Sequence, residues 1–442
     1  MTAISDAAPV QPPGPAAAFD LNTTEESFRY IPGILAEYGD IVRVPAATRA
    51  ADSYLINHPD YVKHVLVSNH KNYIKGVGFE RVKMLLGNGI IVSDGEFWHA
   101  QRKMIQPAFH RNVIAGMAER MAGANLEALP RWQALAEAGE SINVTDTMSE
   151  LSLEVILRAL FGDDLARIVE RAGHNPFSIL VEHSERDLQL AVRFRGLQKL
   201  VAEVIAGRRA DSETAGERLD FLALLMAARH PRTGEPMSDA ALIDEVMTLI
   251  VAGHETTATT LNWTWYLLGR HPEAEARLQA EVDAVVGDAT PGIEHAGQLA
   301  YAGQVLEEAL RLYPPVWLYT RKAVGADRLG PYEVAPGTDI FITPYYLHRH
   351  PGFWDEPEAF RPERFAPEAV AARHRHVHIP FSAGPRRCIG DHFAMVEMKI
   401  HLALMARRFR LRPQSREPAA LEPAVNLRAR QPLYMSVEPR TR

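Results

Sequence analysis

Cysteine is almost absent from this chain: Cys388 is the one thiol among 442 residues. A single thiol cannot close an intramolecular disulfide, and it cannot supply the several sulfurs of a typical structural zinc or iron–sulfur site. Three roles remain for Cys388: an inert thiol, a nucleophile, or the sole protein ligand of a metal-containing cofactor.

Long hydrophobic runs are absent too, since no window approaches the ~18 consecutive apolar residues of a membrane-spanning helix. Residues 1–19, rich in Ala and Pro, lack the basic start and apolar core of a signal peptide. We therefore expect a disordered tail over residues 1–22, no membrane anchor and a cytoplasmic protein. A net charge of −7 is mild for this length and argues against general nucleic-acid binding.

The pattern of apolar residues predicts a mainly α fold with a minor β portion. Short β-like runs occur near 40–45, 53–57 and 320–345, punctuated by Gly and Pro. Segments with helical spacing are found near 112–138, 146–172, 176–208 and 218–229. Because no linker interrupts the chain, we expect residues 23–442 to form a single domain.

The residues around Cys388 favour a cofactor ligand. The string from Phe381 to Gly390 reads FSAGPRRCIG, in which glycines permit tight turns and close approach, and Arg386 can pair with a carboxylate. From Asp391 onward the pattern predicts a helix. Cys388 then lies just before a helix N-terminus, where the backbone N–H groups favour the thiolate.

This string resembles the haem-binding signature of the cytochrome P450 family, Phe-x-x-Gly-x-Arg-x-Cys-x-Gly, at every fixed position. The resemblance implies a cytochrome P450 fold binding haem b between a long central helix and the cysteine loop. It implies that Cys388 is the axial ligand of the haem iron, with Phe381, Arg386 and Gly390 beside the cofactor.

A second motif lies in the longest predicted helix, which Ser238 or Asp239 caps and His271-Pro272 ends. At its middle stands AGHETT, residues 252–257, where polar groups are costly unless they find partners or carry function. One reading is that its threonines bond back to preceding carbonyls and bend the helix. The string also resembles the family's oxygen-activating motif, which implies Ala252 against the haem face, Thr256 holding a water molecule and Glu255 relaying protons from solvent.

Two further patterns resemble family motifs. Glu308-x-x-Arg311, followed by Pro362-Glu363-Arg364-Phe365, implies a buried network of Glu308, Arg311 and Arg364 that holds the cysteine loop. The Trp98-x-x-x-Arg102 spacing places both side chains on one helix face. By resemblance, Trp98, Arg102, Arg321 and Arg386 hold the haem propionates.

The implied reaction inserts one oxygen atom of O2 into a hydrophobic small molecule, a terpenoid, carotenoid or fatty-acid-like substrate. By resemblance its pocket is lined by Phe79, Leu85, Leu86, Leu249, Ala252, Val316, Trp317, Leu318 and Asn426. The chain has no dinucleotide fingerprint and no four-cysteine cluster pattern. Electrons from NAD(P)H must therefore arrive through a separate partner, a ferredoxin or flavodoxin with its reductase.

Two alternatives stay open: a haem-thiolate peroxygenase or lyase that uses peroxides, and a non-catalytic haem protein that binds ligands. Glu255 and Thr256 argue against the first, because peroxide chemistry can dispense with that pair. Alternating histidines at 374, 376 and 378 could bind a metal, but no acidic or cysteine companion is nearby in sequence. We interpret them as part of a basic surface, which could equally dock an acidic electron carrier or remain solvated.

Overall fold

The computed structural model describes residues 10–181, 188–210 and 218–440. The predicted fold class, mainly α with a minor β portion, is confirmed. The helices of the described residues are α1 Glu25–Tyr38, α2 Pro59–Lys63, α3 Phe79–Leu86, α4 Gly95–Ile105, α5 Arg111–Ala138, α6 Val144–Phe161, α7 Asp164–Ala172, α8 Leu188–Ala210, α9 Phe221–Ala227, α10 Asp239–Arg270, α11 Pro272–Val285, α12 Ile293–Gln298, α13 Ala300–Leu312, α14 Pro344–Leu347, α15 Pro367–Ala372 and α16 Asp391–Ala406.

The strands are short. They are β1 Ile41–Val44, β2 Ser53–Ile56, β3 Tyr73–Lys75, β4 Ser141–Asn143, β5 Tyr319–Ala323, β6 Asp327–Leu329, β7 Tyr332–Val334, β8 Asp339–Ile342, β9 Phe409–Pro413, β10 Leu421–Pro423, β11 Leu427–Ala429 and β12 Tyr434–Pro439. One sheet has the order β1-β2-β8-β5-β3, in which the β2–β8 pair is parallel. A second has the order β4-β12-β9, and β6–β7 and β10–β11 are two-stranded.

Helix α10 is the axis of the fold. The Ser238 hydroxyl accepts a hydrogen bond from Ala241 N at 3.2 Å, which settles Ser238 as its cap. The helix continues for 32 residues, about 48 Å at 1.5 Å per residue. His271 ends it, and Pro272 begins the next helix. Most of its residues are buried, with α6 packed along one side.

The predicted helical segments need two adjustments. The segment near 146–172 is two helices, α6 and α7, separated by Gly162 and Asp163. The segment near 176–208 begins with a 3₁₀ turn, Pro176–Leu180, and resumes as α8, while residues 182–187 between them lie outside the described residues.

For residues 10–22 the structure differs from the predicted disordered tail; residues 1–9 lie outside the described residues. Leu21 is fully buried in an apolar cluster with Trp317 and Phe341. The backbone is hydrogen-bonded as well: Arg43 N donates to the Pro13 carbonyl at 2.9 Å, and Glu333 N to the Val10 carbonyl at 3.0 Å. The low-complexity composition concealed these contacts, because proline in an extended segment can still pack and accept hydrogen bonds.

Candidate active site

The loop carrying Cys388 is held in a tight turn before α16. Cys388 N donates to the Phe381 carbonyl at 2.9 Å, which closes the turn across the loop. Gly384 has φ +68°, and a Cβ there would lie 2.0 Å from the Leu66 carbonyl oxygen. No other residue fits this position without moving the backbone. The loop therefore stands immediately before the N-terminus of α16, as the sequence predicts.

The Cys388 side chain is surrounded by protein and is nevertheless accessible. Burial is the largest cause of the raised pKa of its thiol, while Gly390 N–H, Arg102 and Arg387 act in the opposite direction. The expected thiolate preference is thus opposed by burial. A side chain that is both surrounded by protein and accessible faces an internal cleft.

Cationic side chains gather around Trp98 beside this loop. The Arg386 guanidinium lies over the Trp98 ring, 4.2 Å from its centroid. It is ion-paired with Asp94 and donates to the Ser93 carbonyl at 3.0 Å. Arg102 instead donates to the Arg387 carbonyl at 3.0 Å, so it supports the cysteine loop itself. Trp98 and Arg102 do share helix α4, but Trp98 stacks with Arg386.

A further cation, Lys75, lies directly opposite Arg321 across the β3–β5 pair. Opposite residues of an antiparallel pair share a face, and like charges there are destabilising. Burial, reinforced by Arg321 and Arg386, holds the pKa of Lys75 well below its usual value. Burial lowers the pKa of Arg321 to about 10. Within the described part of the chain, neither side chain forms a salt bridge, and Asp94 is the nearby carboxylate.

This surplus of positive charge, on buried Arg321 and partly buried Lys75 and Arg386, fits a dianionic group, because two propionates would neutralise it. Sequence reasoning missed Lys75. The signal that could have found it is its position in a short strand that pairs with the strand of Arg321, which the sequence alone does not reveal.

The middle of α10 keeps accessible surface although the helix on both sides is buried. Ala252, Glu255 and Thr256 are partly accessible, whereas residues 245–250 and 257–268 are buried. The Thr256 hydroxyl donates to the Ala252 carbonyl at 2.7 Å, which is the back-bonding expected of a mid-helix threonine. Open space therefore lies above this stretch of helix.

The two ionisable neighbours of this stretch have different surroundings. The Glu255 carboxylate lies 3.3 Å from the guanidinium Nε of Arg428 on β11, and both side chains are 31% exposed. His254 is buried, with its Nε2 2.8 Å from the Ser149 hydroxyl on α6. Burial lowers the pKa of His254 to about 4. Glu255 thus keeps accessible surface and His254 does not. Arg428 was not predicted.

Glu308, Arg311 and Arg364 lie together. The Arg311 guanidinium donates to both Glu308 oxygens, at 2.6 and 2.8 Å, and both side chains are fully buried. Arg364 Nε lies 3.4 Å from the same carboxylate. Arg311 also donates to the His348 carbonyl at 3.0 Å, and His348 Nε2 accepts from Ile379 N at 2.9 Å. The network therefore reaches the segment that leads into the cysteine loop.

The predicted pocket residues are divided by burial. Phe79, Leu85, Ala252 and Val316 keep accessible surface, while Leu86, Leu249, Leu318 and Asn426 are buried. Trp317 does not have the surroundings expected of a pocket wall. It is inaccessible, its indole N–H donates to the Ala424 carbonyl at 2.9 Å, and its ring meets Phe28 edge-on at 5.2 Å. Trp317 therefore packs in a core cluster with its indole N–H satisfied, and it supports the hairpin β10–β11 rather than lining the pocket.

The alternating histidines do not converge. His374 Nε2 lies 3.2 Å from Asp60, and His378 Nδ1 lies 3.7 Å from Glu307. Across the described ranges, no three His, Cys, Asp or Glu side chains are grouped as metal ligands would be.

Comparison with known proteins identifies the family. The profile of the cytochrome P450 family matches residues 13–172 and 173–436. Cyclooctatin synthase of Streptomyces melanosporofaciens is 38% identical, with 92% of this chain and 90% of that protein aligned. Cyclooctat-9-en-7-ol 5-monooxygenase of the same organism is 37% identical over 86% and 84% of the two chains. A crystal structure of the cytochrome P450DA heme domain superposes with a TM-score of 0.84, 25% identity and 98% coverage of each chain.

This chain belongs to the cytochrome P450 family. The resemblance seen in the sequence is confirmed, and with it the haem cofactor and the class of P450 monooxygenase, which uses O2, a redox partner and a hydrophobic substrate. Within the described ranges, no helix is both long and apolar enough to cross a bilayer.

Proposed function

We propose that this monooxygenase hydroxylates or epoxidises a terpenoid, carotenoid or fatty-acid-like substrate, and that its site residues act as the family motifs imply. The observation that carries the site assignment is the cationic group of Lys75, Arg321 and Arg386 beside the cleft that Cys388 faces. A group of cationic side chains with little anionic compensation favours an anionic occupant, and the two propionates of haem b would supply that charge.

Haem b, when bound, supplies the activation of O2 that the protein's side chains cannot perform. Cys388 would ligate its iron, and Phe381, Gly390 and Ala252 would flank its ring. Arg102, Arg321, Arg386 and Trp98 would hold its propionates, joined by Lys75. Glu308, Arg311 and Arg364 would act structurally by fixing the segment before the cysteine loop.

Oxygen activation consumes two protons; Glu255 would relay them from solvent, and Thr256 would hold the water that carries them. Glu255 is partly accessible, so it can exchange protons with solvent. Thr256 can accept a hydrogen bond from a water molecule while its own O–H donates to the Ala252 carbonyl, because a hydroxyl has two acceptor lone pairs. That water would extend the path from Glu255 into the cleft.

Substitution of Thr256 tests this role. In the variant Thr256→Ala we expect normal haem content and substrate binding but diversion of reducing equivalents to hydrogen peroxide. The matched control is Thr260→Ala, whose hydroxyl makes the same kind of back-bond, to the Thr256 carbonyl at 2.8 Å, in a buried part of the helix. Unchanged coupling of NAD(P)H oxidation to product in Thr256→Ala would refute the assignment.

The substrate class is supported by the apolar residues that keep accessible surface near the cleft, Phe79, Leu85 and Val316. It is supported also by a relative whose name specifies monooxygenation of cyclooctat-9-en-7-ol. The experiment is a reduced, CO-bound spectrum followed by a spin-shift screen of terpenoids, carotenoids and fatty acids, with charged, hydrophilic compounds as the comparison set. Spin shifts confined to charged, hydrophilic compounds would refute this class.

Electrons would come from NAD(P)H through a ferredoxin or flavodoxin with its reductase, in the cytoplasm. Exposed Arg387 in the cysteine loop, and exposed Lys103, the neighbour of the Arg102 that donates to the Arg387 carbonyl, offer positive charge for an acidic carrier. Residues 23–442 would act as one domain, together with the packed residues 10–22. Reconstitution with purified carriers of each type tests the donor.

A further inference from the structure

The loop between α3 and α4 is tied to α10 by two consecutive acidic residues. Asp244 accepts a hydrogen bond from Asn88 N at 2.7 Å. Glu245 accepts one from Ile90 N at 3.0 Å through one oxygen and one from the Gln101 side-chain amide at 3.2 Å through the other. Two backbone N–H groups of a single loop therefore end on adjacent carboxylates of the central helix.

Close approach of the loop depends on two glycines. A Cβ on Gly87, which has φ +74°, would lie 1.9 Å from the Asp244 carboxylate. A Cβ on Gly89 would lie 2.2 Å from the hydroxyl of Thr248. Larger residues would push the loop away from α10 and lengthen both hydrogen bonds. We call this arrangement of Asp244, Glu245 and the loop Gly87–Ile90 the acidic clamp.

The clamp lies on the stripe of α10 that leads to the proposed active site. At 3.6 residues per turn, positions 245, 249, 252 and 256 fall within about 60° of one another around the helix. Glu245 is fully buried and begins this stripe about 16 Å before Thr256. Burial, with a smaller contribution from Asp244, raises the pKa of Glu245 to about 7. Burying a carboxyl costs free energy unless hydrogen bonds offset the cost, as those from Ile90 and Gln101 do here.

The loop also leads directly into the cationic group. Ser93 and Asp94, three and four residues after Ile90, receive the hydrogen bond and ion pair of Arg386. Leu85 and Leu86, just before Gly87, belong to the predicted pocket wall. The clamp therefore fixes a segment with the pocket wall at one end and the propionate-binding residues at the other.

We propose that the acidic clamp positions the Leu85–Ile90 segment as a wall of the substrate cleft, so that Glu245 and Asp244 are positioning residues for bulky ligands. This inference rests on the proposed function in assigning the cleft. It assigns the carboxylates no contact with substrate. Loss of the clamp should change the affinity of the cleft for large ligands and leave its affinity for small ligands unchanged.

The test uses the holoenzyme and its variants Glu245→Ala, Glu245→Gln, Asp244→Ala and Gly89→Ala. Amide hydrogen exchange of the peptide spanning 87–92 is measured first. Optical titration with two iron-binding probes follows: imidazole, which is small, and 4-phenylimidazole, which is bulky. The CO-bound spectrum checks that the cysteine loop is intact in each variant.

We expect exchange of the 87–92 peptide to be about tenfold faster in Glu245→Ala, because the loss of one buried hydrogen bond changes an opening equilibrium by about this factor. The dissociation constant for 4-phenylimidazole should change about fivefold or more, while that for imidazole stays within about twofold. Glu245→Gln keeps an acceptor and should recover most of the wild-type behaviour. Asp244→Ala and Gly89→Ala disrupt other residues of the acidic clamp, so they test the proposal if Glu245→Ala does not fold.

Faster exchange with no change in 4-phenylimidazole binding would overturn the proposal, because the loop would then be clamped without forming the wall. Unchanged exchange in all three disruptive variants would overturn it as well. Neither readout requires turnover. Failure of the proposed monooxygenation to appear with an electron donor would therefore leave this test intact.

Discussion

Glu255, in the middle of α10, forms an ion pair with Arg428 of β11. The distance from the carboxylate oxygen to the guanidinium Nε is 3.3 Å. The pair joins the proposed proton donor to the hairpin β10–β11, whose tip carries Asn426. Both side chains retain access to solvent, so the pair is a restraint of moderate strength. Its geometry keeps the carboxylate at one position beside Thr256.

Replacement of Arg428 by Gln should therefore loosen Glu255 without removing it. We expect the fraction of NAD(P)H consumption that yields product to fall about two- to fivefold, the factor corresponding to a partly exposed ion pair. Hydrogen peroxide should rise in proportion. The measurement is parallel quantification of NAD(P)H, product and peroxide. Arg428→Lys serves as the control that keeps the charge, and equal coupling in the Gln variant and wild type would contradict the prediction.

The buried pair of Glu308 and Arg311 should be much more sensitive than a surface pair. Glu308→Gln leaves the Arg311 guanidinium buried without its counter-ion, at a cost of about 3–5 kcal/mol in the free energy of unfolding. We expect low haem content for the same reason. The control is Glu150→Gln, which removes an exposed partner of Arg131 and should cost less than about 1 kcal/mol. Urea unfolding of both variants measures the difference, and similar losses would contradict it.

Lys75 gives a prediction about cofactor retention. In Lys75→Met the cationic group loses one of its three members. We expect haem to transfer to apomyoglobin about tenfold faster, as for the loss of one charge-assisted hydrogen bond. The control is Lys71→Met. Lys71 is exposed and lies two residues before β3, and this variant should transfer haem at the wild-type rate. Equal transfer rates for the two variants would show that Lys75 does not help to bind the haem propionates.

Acid sensitivity should arise in part from His401. Its Nε2 accepts from the Trp265 indole at 2.8 Å and its Nδ1 lies 2.7 Å from the Asn125 amide oxygen, so the folded protein holds the neutral ring. Burial lowers the pKa of His401 to about 3. The unfolded chain binds the proton near pH 6.5, so unfolding is favoured as pH falls from there toward 3.

The expected loss is about 1.4 kcal/mol of unfolding free energy per pH unit for this histidine. In His401→Gln, where an amide can make both hydrogen bonds, the dependence between pH 6.5 and 4.5 should be shallower by about that amount. Urea unfolding at pH 6.5, 5.5 and 4.5 measures the slope. An identical slope in the variant would show that the acid sensitivity lies in other residues.

Much of the fold could be read from the sequence, because apolar periodicity and caps are local. Ser238 and His271-Pro272 delimit α10 as predicted, and the helix after Asp391 begins there. What the sequence hid were contacts between distant segments. Lys75 meets Arg321 only because β3 pairs with β5, and Arg428 reaches Glu255 only through the β10–β11 hairpin. The family resemblance implies a pocket position for Trp317, yet its indole N–H donates to the Ala424 carbonyl inside a core cluster.

The solitary thiol has one more consequence. Because Cys388 faces an internal cleft and every other residue of the chain lacks a thiol, the protein carries a built-in stoichiometric label. An alkylating reagent small enough to enter the cleft can react at most once per chain, at a pH high enough to form the thiolate, and only where the sulfur is not bound to iron. Counting modified chains by intact mass then measures cofactor occupancy directly, without any background from other cysteines.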